Sequence, residues 1–196
     1  MILQFCGLSG AGKTTLALKV KKKLLDYGAA VEIIDGDEYR KSLCSDLGFS
    51  KEDRLENIRR LGFVAGKLSD HEVISIISAI NPYRQARCEL KKTYKNVKTI
   101  FIDCPVPVLR GRDTKGMYKR SELADGDPDK IMNLTGINDK FEAPTKPDLY
   151  INTAITTVEE CAEELFSFIV RNSPFLFSSA RFRRSKNVSY DFSQNS

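Results

Sequence analysis

Gly7-Leu8-Ser9-Gly10-Ala11-Gly12-Lys13-Thr14 follows directly on the apolar run Ile2 to Cys6 and leads into a helix-forming stretch, Thr14 to Leu25. This is the phosphate-loop pattern G-x-x-x-x-G-K-[ST], placed between a strand and a helix. Glycines let backbone N–H groups wrap a phosphate without Cβ clashes, and the helix that follows presents the positive end of its dipole. The segment Gly10, Ala11, Gly12, Lys13, Thr14 and Thr15 is therefore expected to hold a nucleoside triphosphate. Lys13 reaches the β- and γ-phosphates in this reading, and the Thr14 hydroxyl ligates Mg²⁺. The bland alternative is a glycine-rich turn that only caps the helix.

Working outward, β-type runs alternate with helix-length stretches. The runs are Ile2 to Cys6, Val31 to Ile34, Val73 to Ser78, Thr99 to Ile102 and Leu149 to Ile151. Between them lie Thr14 to Leu25, Lys51 to Leu68 and Pro82 to Tyr94, each of helical composition. A βαβ rhythm predicts an α/β fold with a mostly parallel central sheet and helices on both faces. Ligands bind such sheets at the carboxyl ends of the strands. Thr157 and Glu160 have capping-box spacing before Val158, Cys161, Leu165, Phe168 and Ile169, which predicts a last helix over Val158 to Val170.

The second run ends in Asp35-Gly36-Asp37-Glu38-Tyr39-Arg40, at the sheet edge that carries the phosphate loop. Asp37 there is a candidate base for an acceptor hydroxyl, with capping of the next helix as its structural alternative. Arg40, three residues on, shares a helical face with Asp37 and is a candidate holder of an anionic group. In Leu47 to Arg60, Phe49 is suited to stack on a base. Arg54 and Asn57, one turn apart, are suited to phosphate, sulfate or ribose oxygens. A solvated charged helix is the plainer reading of that stretch.

Composition narrows the classes. The 196 residues are 41% hydrophobic and 29% charged, as in an ordinary globular protein, and no run approaches the ~20 apolar residues of a membrane span. The net charge of +5 is concentrated at the end, where Arg171, Arg181, Arg183, Arg184 and Lys186 face Asp191 alone. The nearly balanced body gives no reason to expect nucleic acid as a partner. A domain over 1–171 is expected, with 172–196 as a basic tail containing Ser, Arg and Phe and showing no sustained period. Five widely spaced Cys and no C-x-x-C pair argue against disulfides or zinc. With a start that lacks signal-peptide features, they point to the cytoplasm. His71 is the single histidine, which disfavours histidine-based catalysis.

Together these segments resemble the adenylylsulfate (APS) kinase family. The resemblance runs from the phosphate loop through Asp35 to Arg40 and Leu47 to Arg60. It continues at Ile80-Asn81-Pro82-Tyr83-Arg84, Arg112 to Tyr118, Leu134 to Asn138 and Phe141 to Pro144. It implies the P-loop kinase fold, ATP as phosphoryl donor, Mg²⁺ and transfer of the γ-phosphoryl group to the ribose 3′-hydroxyl of APS. Asp37 becomes the base or orienter of that hydroxyl. Arg40, Arg54 and Asn57 hold the acceptor, Phe49 stacks on its base, and Ile80 and Asn81 contact its edge. Lys115 sits in a basic lid spanning Arg110 to Lys130, and Arg112 packs near the adenine of ATP. A small-molecule nucleotide acceptor and a homodimer are the implied partners.

Three departures lie on the acceptor side. Asn81 replaces a serine sometimes assigned as a phosphorylated intermediate. Leu134 replaces a phenylalanine that closes an aromatic sandwich on the acceptor's adenine. An apparent insertion surrounds Ala124 to Asp129. These changes keep two further readings open: a 3′-hydroxyl kinase for another nucleotide, such as cytidine diphosphoramidate in capsule biosynthesis, and an idle nucleotide-binding module that works through its tail.

Overall fold

The computed structural model describes residues 1–173. Five strands form one sheet in the order β2-β3-β1-β4-β5, every neighbouring pair parallel. They are β1 (Ile2–Cys6), β2 (Val31–Asp35), β3 (Ile74–Ser78), β4 (Val97–Asp103) and β5 (Leu149–Asn152). The predicted mostly parallel sheet is thus parallel throughout among the described residues. Its central strand, β1, runs straight into the phosphate loop.

Period-two alternation along β1 divides the core. Leu3 and Phe5 face one apolar cluster with α1 (Lys13–Asp26) and α7 (Val158–Asn172). Ile2 faces a second with α3 (Lys51–Asp70) and α4 (Arg84–Thr93). Each face of a parallel sheet must be covered, and the connecting helices do this. The capping box is formed: Thr157 Oγ1 accepts from Glu160 N, and the Glu160 carboxylate accepts from Thr157 N. Val158 departs from the expected stripe and is exposed. The helix expected from Pro82 begins at Arg84, with Tyr83 extended at its N-cap. Four of the five Cys are buried, whereas Cys88 is exposed on α4.

The short helix considered around Asp37 and Arg40 is α2 (Gly36–Tyr39), which stops one residue before Arg40. Two others, α5 (Val106–Arg112) and α6 (Met117–Ser121), escaped the sequence reading, being too brief to show an apolar period. Of the expected tail, only residues 172 and 173 are described. No described helix is long and apolar enough to cross a membrane.

Candidate active site

At the carboxyl ends of β1, β2 and β3 lies a cleft of about 540 Å³. The phosphate loop forms one end. Gly7 must be glycine, since a Cβ there would meet the Ile102 carbonyl oxygen at 2.2 Å. Gly10 and Gly12 take positive φ of 76° and 93°, which glycine adopts without strain. Lys13 Nζ donates to the carbonyls of Gly7 (2.9 Å) and Leu8 (2.7 Å) in its own loop. Burial pushes its pKa down to about 8. Thr14 and Thr15 line the cleft, while Ala11 is fully buried behind it.

Beside Thr14 stands a group that the sequence reading passed over. Thr14 Oγ1 donates to Asp35 Oδ2 at 2.9 Å and lies 3.3 Å from Ser78 Oγ. The other Asp35 oxygen caps α2, accepting from Asp37 N at 2.9 Å. Capping therefore falls to Asp35 and not to Asp37, which removes the structural alternative for Asp37. Asp35 could have been singled out as the carboxylate that ends a β-run next to the phosphate loop. Hydroxyl and carboxylate oxygens at this spacing are the hard donors that suit Mg²⁺, an ion bound by few protein groups. No cluster of three acidic, Cys or His ligands exists among the described residues.

Asp37 is exposed at the mouth of the cleft and pairs with Lys115 of the lid. The lid is anchored at its base. Asp113 caps α6 by accepting from Tyr118 N and Lys119 N, both at 3.0 Å. The buried Tyr118 hydroxyl donates to Ser9 O at 2.8 Å, which ties α6 to the phosphate loop. Arg112 does not line this cleft. It donates to Thr153 O, and Thr153 Oγ1 in turn donates to Ala11 O, so it sits behind the phosphate loop.

The other end is built around Phe49, which is 52% exposed. The guanidinium carbons of Arg40 and Arg54 lie 4.6 and 5.5 Å from its ring centre. The negative ring face lets two like charges stand close together. Burial, and next the Arg54 charge, lower the Arg40 pKa. Arg40 is the residue that ends the single turn of α2, and it donates to Leu47 O and Gly48 O. Arg54 is buried and braces two loops, donating to Phe49 O at 3.0 Å and to Asn133 O at 2.8 Å. The Asp139 carboxylate lies 3.1 Å from Arg54 Nη2, without hydrogen-bond alignment. Much of the Arg54 donor set is thus spent inside the protein, against the expectation of a simple anion receptor. Arg60 was also missed. It pairs with Asp46 and donates to Leu43 O, holding the loop that carries Phe49.

Asn57, Ile80 and Leu134 all line the cleft. Leu134 is 4% exposed and packs into the core cluster around β1. Asn81 also lines the cleft, and its side-chain nitrogen donates inward to Gln4 Oε1 at 3.0 Å. In the lid, the segment 124–129 is closed by its own polar contacts, Lys130 with Asp125 and Arg120 with Asp129 O.

The sequence model of the adenylylsulphate kinase family matches residues 1–152. An adenylyl-sulfate kinase of Synechococcus sp. (strain JA-2-3B'a(2-13)) is 45% identical over 159 residues, covering 81% of this chain and 88% of its own. The APS kinase of Mycobacterium tuberculosis, solved in complex with AMPPNP and APS, superposes with a TM-score of 0.79 at 34% identity. It covers 86% of this chain and 96% of its own. A hexameric APS kinase from Thiobacillus denitrificans gives a TM-score of 0.64 at 29% identity, covering 87% of this chain and 28% of its own.

Proposed function

The chain belongs to the adenylylsulfate kinase family, and from that premise we propose that it transfers the γ-phosphoryl group of ATP to the 3′-hydroxyl of adenylyl sulfate, giving 3′-phosphoadenylyl sulfate. The observation that carries this reading is a single cleft lined at one end by Lys13 and Thr14, at the other by Phe49 and Asn57, and by Asp37 at its mouth. A donor and an acceptor nucleotide must meet in such a space for direct transfer.

In the proposed mechanism the phosphate-loop amides and Lys13 bind the donor's phosphates. The Lys13 ammonium balances charge on the transferring group. Thr14 and Asp35 would hold Mg²⁺ beside them, where it would supply charge neutralisation to the phosphates. Asp37 orients the acceptor hydroxyl and takes its proton, once Lys115 has moved from the carboxylate to the phosphates. Arg40 and Asn57 hold the acceptor, Arg54 braces the loops of Phe49 and Asn133 around it, Phe49 stacks on its base, and Ile80 and Asn81 bound its floor. Arg112 packs on the adenine of ATP. A role in sulfate assimilation, a cytoplasmic location and a homodimer complete the reading. The hexameric relative has the matching region within a longer chain.

Leu134 favours one second reading: an aliphatic wall suits a smaller base, as in cytidine diphosphoramidate. Purified protein given ATP with either acceptor, with ADP release followed, separates the two. Turnover with adenylyl sulfate at the higher kcat/KM is expected. Preference for the cytidine compound overturns the assignment. ATP binding without turnover of either acceptor supports an idle module.

A further inference from the structure

Gln4 is an amide in the middle of the central strand, fully buried on the face that meets α4. Such a group persists only when its hydrogen bonds are met, and here all of them are internal. Its nitrogen donates to Thr99 Oγ1 at 3.0 Å and to Arg87 O at 3.2 Å, and its oxygen accepts from Asn81. Arg87 is the buried cation of the same network. It donates to Asn81 O at 2.8 Å, lies 3.5 Å from Cys6 Sγ, and donates to Glu142 O, so none of its hydrogen-bond partners is a carboxylate oxygen. A buried guanidinium held by carbonyls is costly, and its effect here is to fix a turn.

That turn is Ile80-Asn81-Pro82, and each of its three carbonyls is committed. Ile80 O accepts from Gly7 N of the phosphate loop at 3.1 Å, Asn81 O from Arg87, and Pro82 O from Glu142 N at 2.9 Å. Asn81 sits at φ 46°, in the left-handed region, and its side chain is latched to Gln4. The segment is the wall that the phosphate loop and the acceptor end of the cleft have in common.

We propose that Gln4 and Arg87 are positioning residues for phosphoryl transfer: through Asn81 they hold the Ile80–Pro82 turn as the rigid acceptor floor, locked to the first amide of the phosphate loop. Asn81 then acts as a latch through its amide nitrogen, while its amide oxygen is buried without a hydrogen-bond partner. The inference rests on the kinase reading for its kinetic consequence and on hydrogen bonding alone for its structural one.

The test uses the full chain with Gln4→Leu, Asn81→Gly, the double variant and Arg87→Lys. Glycine at 81 tolerates the backbone angle but cannot reach Gln4, so it separates the turn from the latch. In each variant the KM for adenylyl sulfate should rise about tenfold or more with a fall in kcat, while the dissociation constant for ATP stays within about twofold. The double variant should be no worse than its harsher parent, since both break one contact. Lysine at 87 should not rescue, because one ammonium cannot span Asn81 O and Glu142 O. Unchanged acceptor kinetics, equal loss of ATP affinity, or independent effects in the double variant overturn the proposal. If Gln4→Leu does not fold, Asn81→Gly decides alone. Amide exchange at residues 79–83 should quicken in the variants whichever acceptor the enzyme uses. Retained protection there defeats the inference with the kinase reading intact, whereas a wild-type enzyme inert to adenylyl sulfate defeats the reading and leaves the exchange result standing.

Discussion

At the donor end of the cleft, side chains are tied to the backbone of their own loop, as Lys13 is to Gly7 and Leu8. At the acceptor end they are tied across distant elements: Arg54 of α3 reaches Asn133 beyond the lid, and Arg60 holds the loop before Phe49. The phosphate loop is shaped by eight consecutive residues and takes only single supports from outside, Asp35 on Thr14, Tyr118 on Ser9 O and Ile80 O on Gly7 N. A site assembled from several loops can exchange a member and be repacked by the others. This is where Asn81 and Leu134 depart from the family pattern, and both are absorbed into buried surroundings. The difference teaches that donor chemistry and acceptor choice are separable in this fold.

The harshest test of that separation is Asp37→Asn. The change keeps the size of the side chain and removes the base, so kcat should fall by about 10² to 10⁴ while ATP affinity is kept. Single-turnover transfer and equilibrium ATP binding read the two sides independently. Wild-type turnover would take Asp37 out of the mechanism, and a matching loss of ATP affinity would merge the two ends into one.

The same contrast explains what could be seen in advance. The phosphate loop, the five strands and the capping box of α7 announce themselves through contiguous residues or a simple period, and they stand where the sequence placed them. Asp35 was missed because a carboxylate at a strand end looks like a capping group, and it does cap α2 while its second oxygen meets Thr14. The inward turn of Asn81 depends on Gln4, 77 positions away. Arg54 looked like an anion receptor because two of its three partners, Asn133 O and the Asp139 carboxylate, come from a distant loop whose approach no local pattern records. Propensity and spacing speak for neighbours in sequence, and the acceptor end is made from neighbours in space.

Phe49→Ala gives a milder test, confined to the acceptor end. Removing the ring takes away base stacking, worth about 1–3 kcal/mol, and also the surface that lets Arg40 and Arg54 approach. The acceptor KM should rise roughly 5- to 150-fold with the KM for ATP unchanged. Steady-state kinetics with each substrate varied in turn would measure this. An equal change in both KM values would show that the ring supports the whole cleft and not one nucleotide.

The smallest effect belongs to the donor end and is set by protons. Burial brings the Lys13 pKa down to about 8 in the free protein. Bound phosphates favour the ammonium form, so the complex holds its proton to a higher pH than the free protein does. Above pH 8, binding must take up a proton, and affinity falls as pH rises. Below pH 8 both states are protonated and affinity is level with respect to this group. From pH 7 to pH 9 the dissociation constant for ATP should therefore rise about tenfold, with proton uptake visible in calorimetry at the upper end. Lys13→Met should bind more weakly and lose the slope. Phe49→Ala should keep it, since no acceptor residue shares this proton. A slope that survives in Lys13→Met would assign the titration to another group and leave the Lys13 ammonium charged throughout the range.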